Sequence, residues 1–135
     1  MAEGSLDAVG IVVSDLKRAV EFYRMLGVPF EPGMEESEHG HAEAELDGGI
    51  RLMLDTEAGL REFDPSWQRG TGASGATLAF RCARPLEVDQ LYAQALKAGA
   101  TEVHAPWDAF WGQRYAQVRD HDGNPIDLYA SLDNG

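Results

Sequence analysis

Hydrophobic and polar positions along the chain follow two different periods, which predict strands and helices. The first segment, LDAVGIVV (6–13), is apolar and rich in β-branched residues, as is typical of a strand with at least one buried face. Apolar residues then recur at helical spacing between a capping position at Ser14 or Asp15 and a terminating Gly27. The pattern predicts a strand followed by an amphipathic helix.

Three short strands are predicted after this helix. The segment VPFEP (28–32) is compatible with a short strand, and HAEAEL (41–46) alternates with a period of two residues. The turn Asp47-Gly48-Gly49 then leads into IRLMLD (50–55), so the last two strands are expected to form a hairpin.

The second half of the chain repeats this order. ATLAFRCA (76–83) is predicted as a strand, and the apolar stripe that begins after Pro85 and ends at Gly99 predicts a helix. Three more strands are predicted at TEVHA, GQRYAQVR and PIDLYA. The repeat has a period of about 70 residues, which is too long for a solenoid unit and indicates two similar modules.

The chain length and the repeat together predict a single α+β domain. Its 135 residues suffice for one hydrophobic core but leave little room for a second domain. Module 1 is expected at about 5–56 and module 2 at about 76–131. The segment between them, about 57–75, is rich in Gly, Ser and Pro and is predicted to be a linker with a short helical turn around 58–63.

The charge of the chain restricts its partners. A formal net charge of −12 repels nucleic acid and anionic membrane surfaces, and we expect neither as a partner. The chain contains no apolar run long enough to span a membrane and no secretory leader, so a soluble cytoplasmic protein is expected. Its single cysteine, Cys82, lies in an apolar run and is expected to be a buried, inert thiol.

Three segments resemble the vicinal-oxygen-chelate superfamily, which includes glyoxalases, extradiol dioxygenases and bleomycin resistance proteins. They are the two module openings and the closing hairpin: LDAVGIVVSDLKRAVEFYRMLGV, GATLAFRCARPLEVDQLYAQALKAGA and RDHDGNPIDLYA. The resemblance implies two tandem βαβββ modules that form an incomplete barrel around a cleft. Further segments are most similar to the mitomycin-binding and bleomycin-binding branch: PWDAFWGQRYAQVRDHDGNPIDLYA, LDGGIRLMLDT and FDPSWQ.

The resemblance also implies where a metal would be held in the enzymes of this superfamily. The matching positions are Ala8, Thr77 and Asp127. Ala8 has no donor atom, a threonine hydroxyl is a poor ligand for zinc or iron, and one carboxylate cannot hold a transition metal alone. We therefore expect no catalytic residue, no metal and no cofactor.

An alternative remains open, in which a metal site has moved. His39 and His41 lie two residues apart on an extended segment and could chelate zinc or nickel, although two solvent-facing histidines are expected more often. A site built from Asp127, His41 and water would make the protein a metal-dependent lyase, isomerase or dioxygenase. His104 and His121 are interpreted as ordinary surface or loop residues.

The resemblance and the alternation of the closing strands predict a ligand-binding site. Tyr129 is expected on the same side as Asp127, with Ile126 and Leu128 toward the helices. Phe110 is expected to plug the end of the barrel. The candidate ligand-binding residues are polar and aromatic side chains of the closing strands, with two apolar residues of module 1 opposite: Trp107, Trp111, Gln113, Tyr115, Gln117, Asp127, Met53 and Leu54.

The favoured hypothesis is a non-catalytic protein that binds and sequesters an aromatic or quinone-like small molecule, which includes antibiotics. An interaction module with a vestigial cleft is a third hypothesis. Sheet edges need to be covered, and the resemblance implies dimers, so a homodimer is expected whose clefts are built within one chain or shared between two.

Overall fold

A computed structural model describes residues 3–70 and 76–133 of the chain. The chain divides into two compact units, Met1–Thr71 and Gly72–Gly135, and each contains one β-sheet. None of the helices in the described ranges is both long and apolar enough to cross a membrane.

Unit 1 contains a three-stranded sheet, two α-helices and one 3-10 helix at Met34–Glu36. In chain order its elements are β1 (Ala8–Val13), α1 (Leu16–Met25), β2 (His41–Glu45), β3 (Arg51–Thr56) and α2 (Glu57–Phe63). The strand order is β1-β3-β2, with β1 parallel and β2 antiparallel to the central strand β3.

Capping and burial explain the first helix. Asp15 adopts an extended backbone conformation, and its carboxylate accepts a hydrogen bond of 3.0 Å from the backbone N–H of Arg18, which is the N-cap arrangement that the sequence predicts. The apolar side of α1 is buried in unit 1, where Val20 and Tyr23 have no exposed surface. Leu52 and Leu54 of β3 belong to the same core, at 2% and 0% exposure.

The strand predicted at 28–32 is not formed, which corrects the sequence interpretation. Val28 and Phe30 are buried, as the alternating pattern suggests, but their N–H groups bond locally to Tyr23 and to Val28. Pro29 and the proline at position 32 have no N–H to donate to a neighbouring strand. The apolar alternation here reflects burial of a loop rather than pairing in a sheet.

Unit 2 contains a four-stranded sheet and one long helix. Its elements are β4 (Leu78–Arg81), α3 (Pro85–Lys97), β5 (Thr101–Ala109), β6 (Gln113–Arg119) and β7 (Pro125–Ser131). The order is β4-β7-β6-β5, with β4 parallel to β7 and the other pairs antiparallel. Helix α3 packs on the sheet, and the core includes Val88, Ala95, Val118, Ile126 and Leu128.

The α+β fold class is confirmed by two sheets and three α-helices, and in the described residues neither sheet closes on itself. Unit 2 has the predicted strand-helix-strand-strand-strand order, whereas unit 1 has three strands. The helical turn predicted inside the linker is α2. Strand β5 is longer than predicted and includes Trp107, and Pro85 is the first residue of α3.

Candidate functional site

Strand pairing in unit 2 aligns side chains in two rows on one face of the sheet, which we call the polar-aromatic face. Directly paired residues of neighbouring strands point to the same side of a sheet. The aromatic row runs across β5, β6, β7 and β4 as Trp107, Tyr115, Tyr129 and Arg81. The polar row runs beside it as His104, Gln117, Asp127 and Ala79.

Alternation along β7 explains why this face is polar. Ile126 and Leu128 have no exposed surface, which confirms the prediction that they point toward the helix. Asp127 and Tyr129 lie between them in sequence and are partly exposed on the opposite side. One strand therefore contributes both to the core of unit 2 and to the candidate site.

A bulge in β5 brings His104 and Trp107 to the same face. Residues three apart in a regular strand point to opposite sides. Here the register shifts between His104 and Trp107, so His104 pairs with Gln117 and Trp107 pairs with Tyr115. Because Gln117 and Tyr115 are two residues apart on β6, their partners lie on the same face. Pro106 lies inside this irregularity, where a residue without an N–H is tolerated. The imidazole of His104 consequently packs against Trp107 at a tilt of 41°, with ring centroids 3.8 Å apart.

The aromatic rings pack against one another rather than around an open space. Trp107, Trp111 and Tyr115 form a triangle of edge-to-face contacts with centroid distances of 6.0, 5.7 and 5.3 Å. Tyr129 stacks on Tyr115 at 6.1 Å. Each such pair contributes about 0.5–1.5 kcal/mol beyond the burial of its area. Because Trp111 is 48% exposed, the cluster offers a preorganised apolar surface to solvent.

Asp127 is the centre of the hydrogen bonds on this face. The hydroxyl group of Tyr115 donates to one carboxylate oxygen, and the amide nitrogen of Gln117 donates to the other at 3.3 Å. Nearby, the indole nitrogen of Trp111 donates to the side-chain oxygen of Gln113 at 2.8 Å, which orients the indole. These contacts bring together the six site residues that the sequence predicts in module 2: Trp107, Trp111, Gln113, Tyr115, Gln117 and Asp127.

The environment of Tyr115 keeps its phenol protonated. Desolvation by burial, the hydrogen bond to Asp127 and the negative charge of that carboxylate raise the pKa of Tyr115 to about 12. At neutral pH the hydroxyl group is therefore a hydrogen-bond donor to Asp127, and it cannot serve as a base.

This raised pKa predicts a loss of stability in alkaline solution. The folded protein binds the phenolic proton more tightly than the unfolded chain, whose tyrosine pKa is near 10.0, so the contribution of Tyr115 is complete below pH 10.0 and is lost as the pH rises to about 12. Denaturant unfolding across this range should show a steeper fall in stability for the wild type than for Tyr115→Phe. Equal slopes for the two proteins would contradict the assignment.

The metal positions that the resemblance implies do not fit a metal. Ala8 has no donor atom, and Thr77 lies outside β4 with an exposed side chain. The residue opposite Asp127 on β4 is Ala79, and both oxygens of Asp127 accept hydrogen bonds from Tyr115 and Gln117. Over 3–70 and 76–133, no group of three or more His, Cys, Asp or Glu side chains could hold a metal ion.

The two histidines of the HGH segment bind separate carboxylates in unit 1. The imidazole Nδ1 of His41 lies 2.7 Å from Asp55 Oδ1, and that of His39 lies 3.4 Å from Glu62 Oε2. His39 is mostly exposed, with 78% of its side-chain surface accessible. This arrangement supports two independent imidazole-carboxylate pairs rather than a chelate.

Two sequence predictions about individual side chains, Leu54 and Phe110, are wrong. Leu54 is fully buried in the core of unit 1, so it cannot line an open ligand site. Phe110 is 96% exposed and packs edge-on to Trp111 at the β5-β6 turn, so it does not plug the end of a barrel. His104 is exposed, as the sequence predicts, but it also lies on the polar-aromatic face, which the sequence did not indicate.

Met53 remains a candidate from unit 1. It lies on the side of β3 opposite to the buried Leu52 and Leu54, and it pairs in register with Gly10 of β1. A Cβ at Gly10 would lie 3.5 Å from the terminal methyl group of Met53, an ordinary van der Waals contact, so the two positions are neighbours on this side of the sheet.

Cys82 takes no part in this face. Desolvation by burial, followed by the negative charge of Glu87, raises the pKa of its thiol. The thiol therefore stays protonated at neutral pH and is a poor nucleophile, although Cys82 is only partly buried rather than buried as the sequence predicts.

The sequence of this chain is similar to a known protein family and to a bacterial relative. The family described as the Glyoxalase/Bleomycin resistance protein/Dioxygenase superfamily matches residues 5–128. The protein YraH of Bacillus subtilis (strain 168) is 29% identical over 129 residues, which cover 92% of this chain and 96% of that protein.

Solved structures show the same fold at lower identity. A glyoxalase/bleomycin resistance protein/dioxygenase family enzyme from Burkholderia phytofirmans PsJN has a TM-score of 0.78 at 21% identity, covering 96% of this chain and 100% of its own. A glyoxalase-related enzyme from Fulvimarina pelagi also has a TM-score of 0.78, at 17% identity, covering 94% of this chain and 88% of its own.

Proposed function

The chain belongs to the glyoxalase/bleomycin resistance protein/dioxygenase superfamily, and from this membership and its site chemistry we propose that it binds and sequesters a planar aromatic small molecule. The ligand stacks on the aromatic row of the polar-aromatic face, and polar groups of the ligand bond to the polar row. No bond is made or broken in the ligand, so the protein acts in stoichiometric amounts.

The observation that supports this proposal is the joint position of the packed rings and Asp127 on one face. Small-molecule sites are mostly apolar and aromatic surfaces with a few placed polar groups that fix orientation. Here the triangle of Trp107, Trp111 and Tyr115 supplies the flat surface, and Asp127 with Gln117 supplies the polar groups. The half-exposed Trp111 is where a ligand ring would first make contact.

The chemistry of the face favours binding over catalysis. The carboxylate of Asp127 is bonded to a phenol whose pKa is raised to about 12, so the pair is poorly suited to exchange a proton with a substrate near neutral pH. The metal positions discussed above lack the donors that superfamily enzymes use. The metal-dependent enzyme is therefore the weaker hypothesis.

Tryptophan fluorescence tests the proposal, because two of the three tryptophans lie on this face. Titration with mitomycin-type drugs, bleomycin-type drugs and acridines is expected to give saturable quenching with at least one compound in the micromolar range. Trp107→Phe/Trp111→Phe, which retains only Trp67, should lose the quenching signal. If no compound changes the fluorescence at tens of micromolar, the proposal is wrong.

A further inference from the structure

We propose that the polar-aromatic face selects planar aromatic ligands that carry N–H donors, above all aromatic ammonium cations, over aromatic ligands that lack donors or carry a carboxylate. This inference rests on the proposed function, since it specifies the ligand class of the same site. The reason is that side chains of the polar row still have acceptor atoms available to a ligand after they have bonded to one another.

Asp127 and its two partners present acceptors to a ligand. A carboxylate has about four lone-pair sites, and the bonds from Tyr115 and Gln117 use only two of them. The hydrogen of the Tyr115 hydroxyl is directed to Asp127, so its oxygen remains as an acceptor. The Gln117 amide nitrogen is directed to Asp127, so its carbonyl oxygen is the group turned away from the carboxylate.

His104 adds an acceptor at the other end of the polar row. Its Nδ1 lies 2.7 Å from the carbonyl oxygen of Ala105, and a carbonyl can only accept, so Nδ1 carries the hydrogen. In the neutral imidazole Nε2 is then an acceptor. The tilted contact with Trp107 at 3.8 Å and the bond to Ala105 together orient the ring, and with it this acceptor.

The spacing of the rows sets the size of the ligand. Neighbouring strands lie about 4.8 Å apart, so His104 on β5 and Asp127 on β7 are about 10 Å apart across β6. A fused tricyclic ring system is long enough to cover this distance while it stacks on the aromatic row. The aromatic row runs parallel to the polar row and offers the stacking surface.

The net charge of the protein favours the same ligands as the acceptors do. The net charge of −12 attracts a cation and repels an aromatic carboxylate. Arg81, a cationic residue, pairs in register with Tyr129 at the β4 end of the aromatic row. A ligand carboxylate could pair with Arg81 only if the ligand bound away from the acceptors of the polar row.

Three acridines that share one ring system separate donor recognition from stacking. The first probe, 9-aminoacridine, is a cation with N–H donors. The second, acridine, is neutral at slightly alkaline pH and has no donor. The third, acridine-9-carboxylate, is an anion. Their affinities are measured by fluorescence in moderate salt with the wild type, Asp127→Asn, His104→Phe and Asp47→Asn. His104→Phe keeps a ring on Trp107 without Nε2, and Asp47→Asn removes one exposed charge in unit 1.

We expect 9-aminoacridine to bind the wild type at least about tenfold more tightly than the other two probes. Asp127→Asn should lower the affinity for 9-aminoacridine about tenfold and change the affinity for acridine less than about twofold. His104→Phe should also lower the affinity for 9-aminoacridine more than that for acridine. Asp47→Asn should change neither affinity. Equal binding of 9-aminoacridine and acridine, or an equal loss for both in Asp127→Asn, would overturn the donor preference while the proposed function stands. If none of the acridines, mitomycins or bleomycins binds, both proposals fail.

Discussion

Replacing Asp120 with alanine is expected to lower the free energy of unfolding by about 3 kcal/mol. Asp120 is only 3% exposed and directly follows the last residue of β6, Arg119, at the turn into β7. Its carboxylate accepts hydrogen bonds from the backbone N–H of Asp122 at 2.8 Å, from that of Asn124 at 2.9 Å, and from the Asn124 side chain at 2.9 Å. Alanine removes these three acceptor contacts together.

The register of the site depends on this turn, because β6 and β7 supply both rows of the polar-aromatic face. Urea unfolding followed by far-UV circular dichroism measures the loss. Asp120→Asn keeps one side-chain oxygen for the two backbone donors and should lose about 1 kcal/mol. If the alanine variant unfolds within about 0.5 kcal/mol of the wild type, the turn does not depend on this carboxylate.

Replacing Trp107 with alanine is expected to weaken binding of a planar aromatic ligand about 30-fold, the effect of a central aromatic anchor. Trp107 contacts His104, Trp111 and Tyr115, so its removal takes away stacking surface and the support of the neighbouring rings. Isothermal titration calorimetry measures the change without relying on tryptophan fluorescence.

Phe110→Ala is the matched control for this loss. Phe110 is a neighbouring aromatic residue on the same hairpin, but it is 96% exposed and lies at the turn rather than in a row of the sheet. Its replacement should change the affinity less than about threefold. If Phe110→Ala weakens binding as much as Trp107→Ala does, the ligand binds at the turn and not on the polar-aromatic face.

Local chemistry allowed much of the fold to be predicted from the sequence. Asp15 caps α1 and Pro85 begins α3 because one supplies a side-chain acceptor and the other needs no N–H partner. Along β7 the alternation of Ile126, Asp127 and Leu128 correctly separates the buried face from the partly exposed face. These signals need only a few neighbouring residues.

The differences between the sequence predictions and the structure have separate causes at three places. At Leu54 the alternation of Ile50, Leu52 and Leu54 with Arg51, Met53 and Asp55 already indicates the buried face, so the pattern was available and was not applied. The position of His104 depends on a bulge that only pairing with β6 reveals, although Pro106 was a local sign of irregularity. At 28–32, the apolar alternation reflected burial of a loop whose N–H groups bond locally.

The most direct test of the central claim locates the ligand by nuclear magnetic resonance. The three tryptophans give three indole N–H signals, which Trp→Phe variants assign to Trp67, Trp107 and Trp111. With a saturating amount of a planar aromatic compound that binds the protein, we predict that the signals of Trp107 and Trp111 and the side-chain amide signals of Gln117 shift, while the signal of Trp67 does not. Unchanged signals of Trp107, Trp111 and Gln117 in the saturated protein would contradict the assignment of the polar-aromatic face as the binding site.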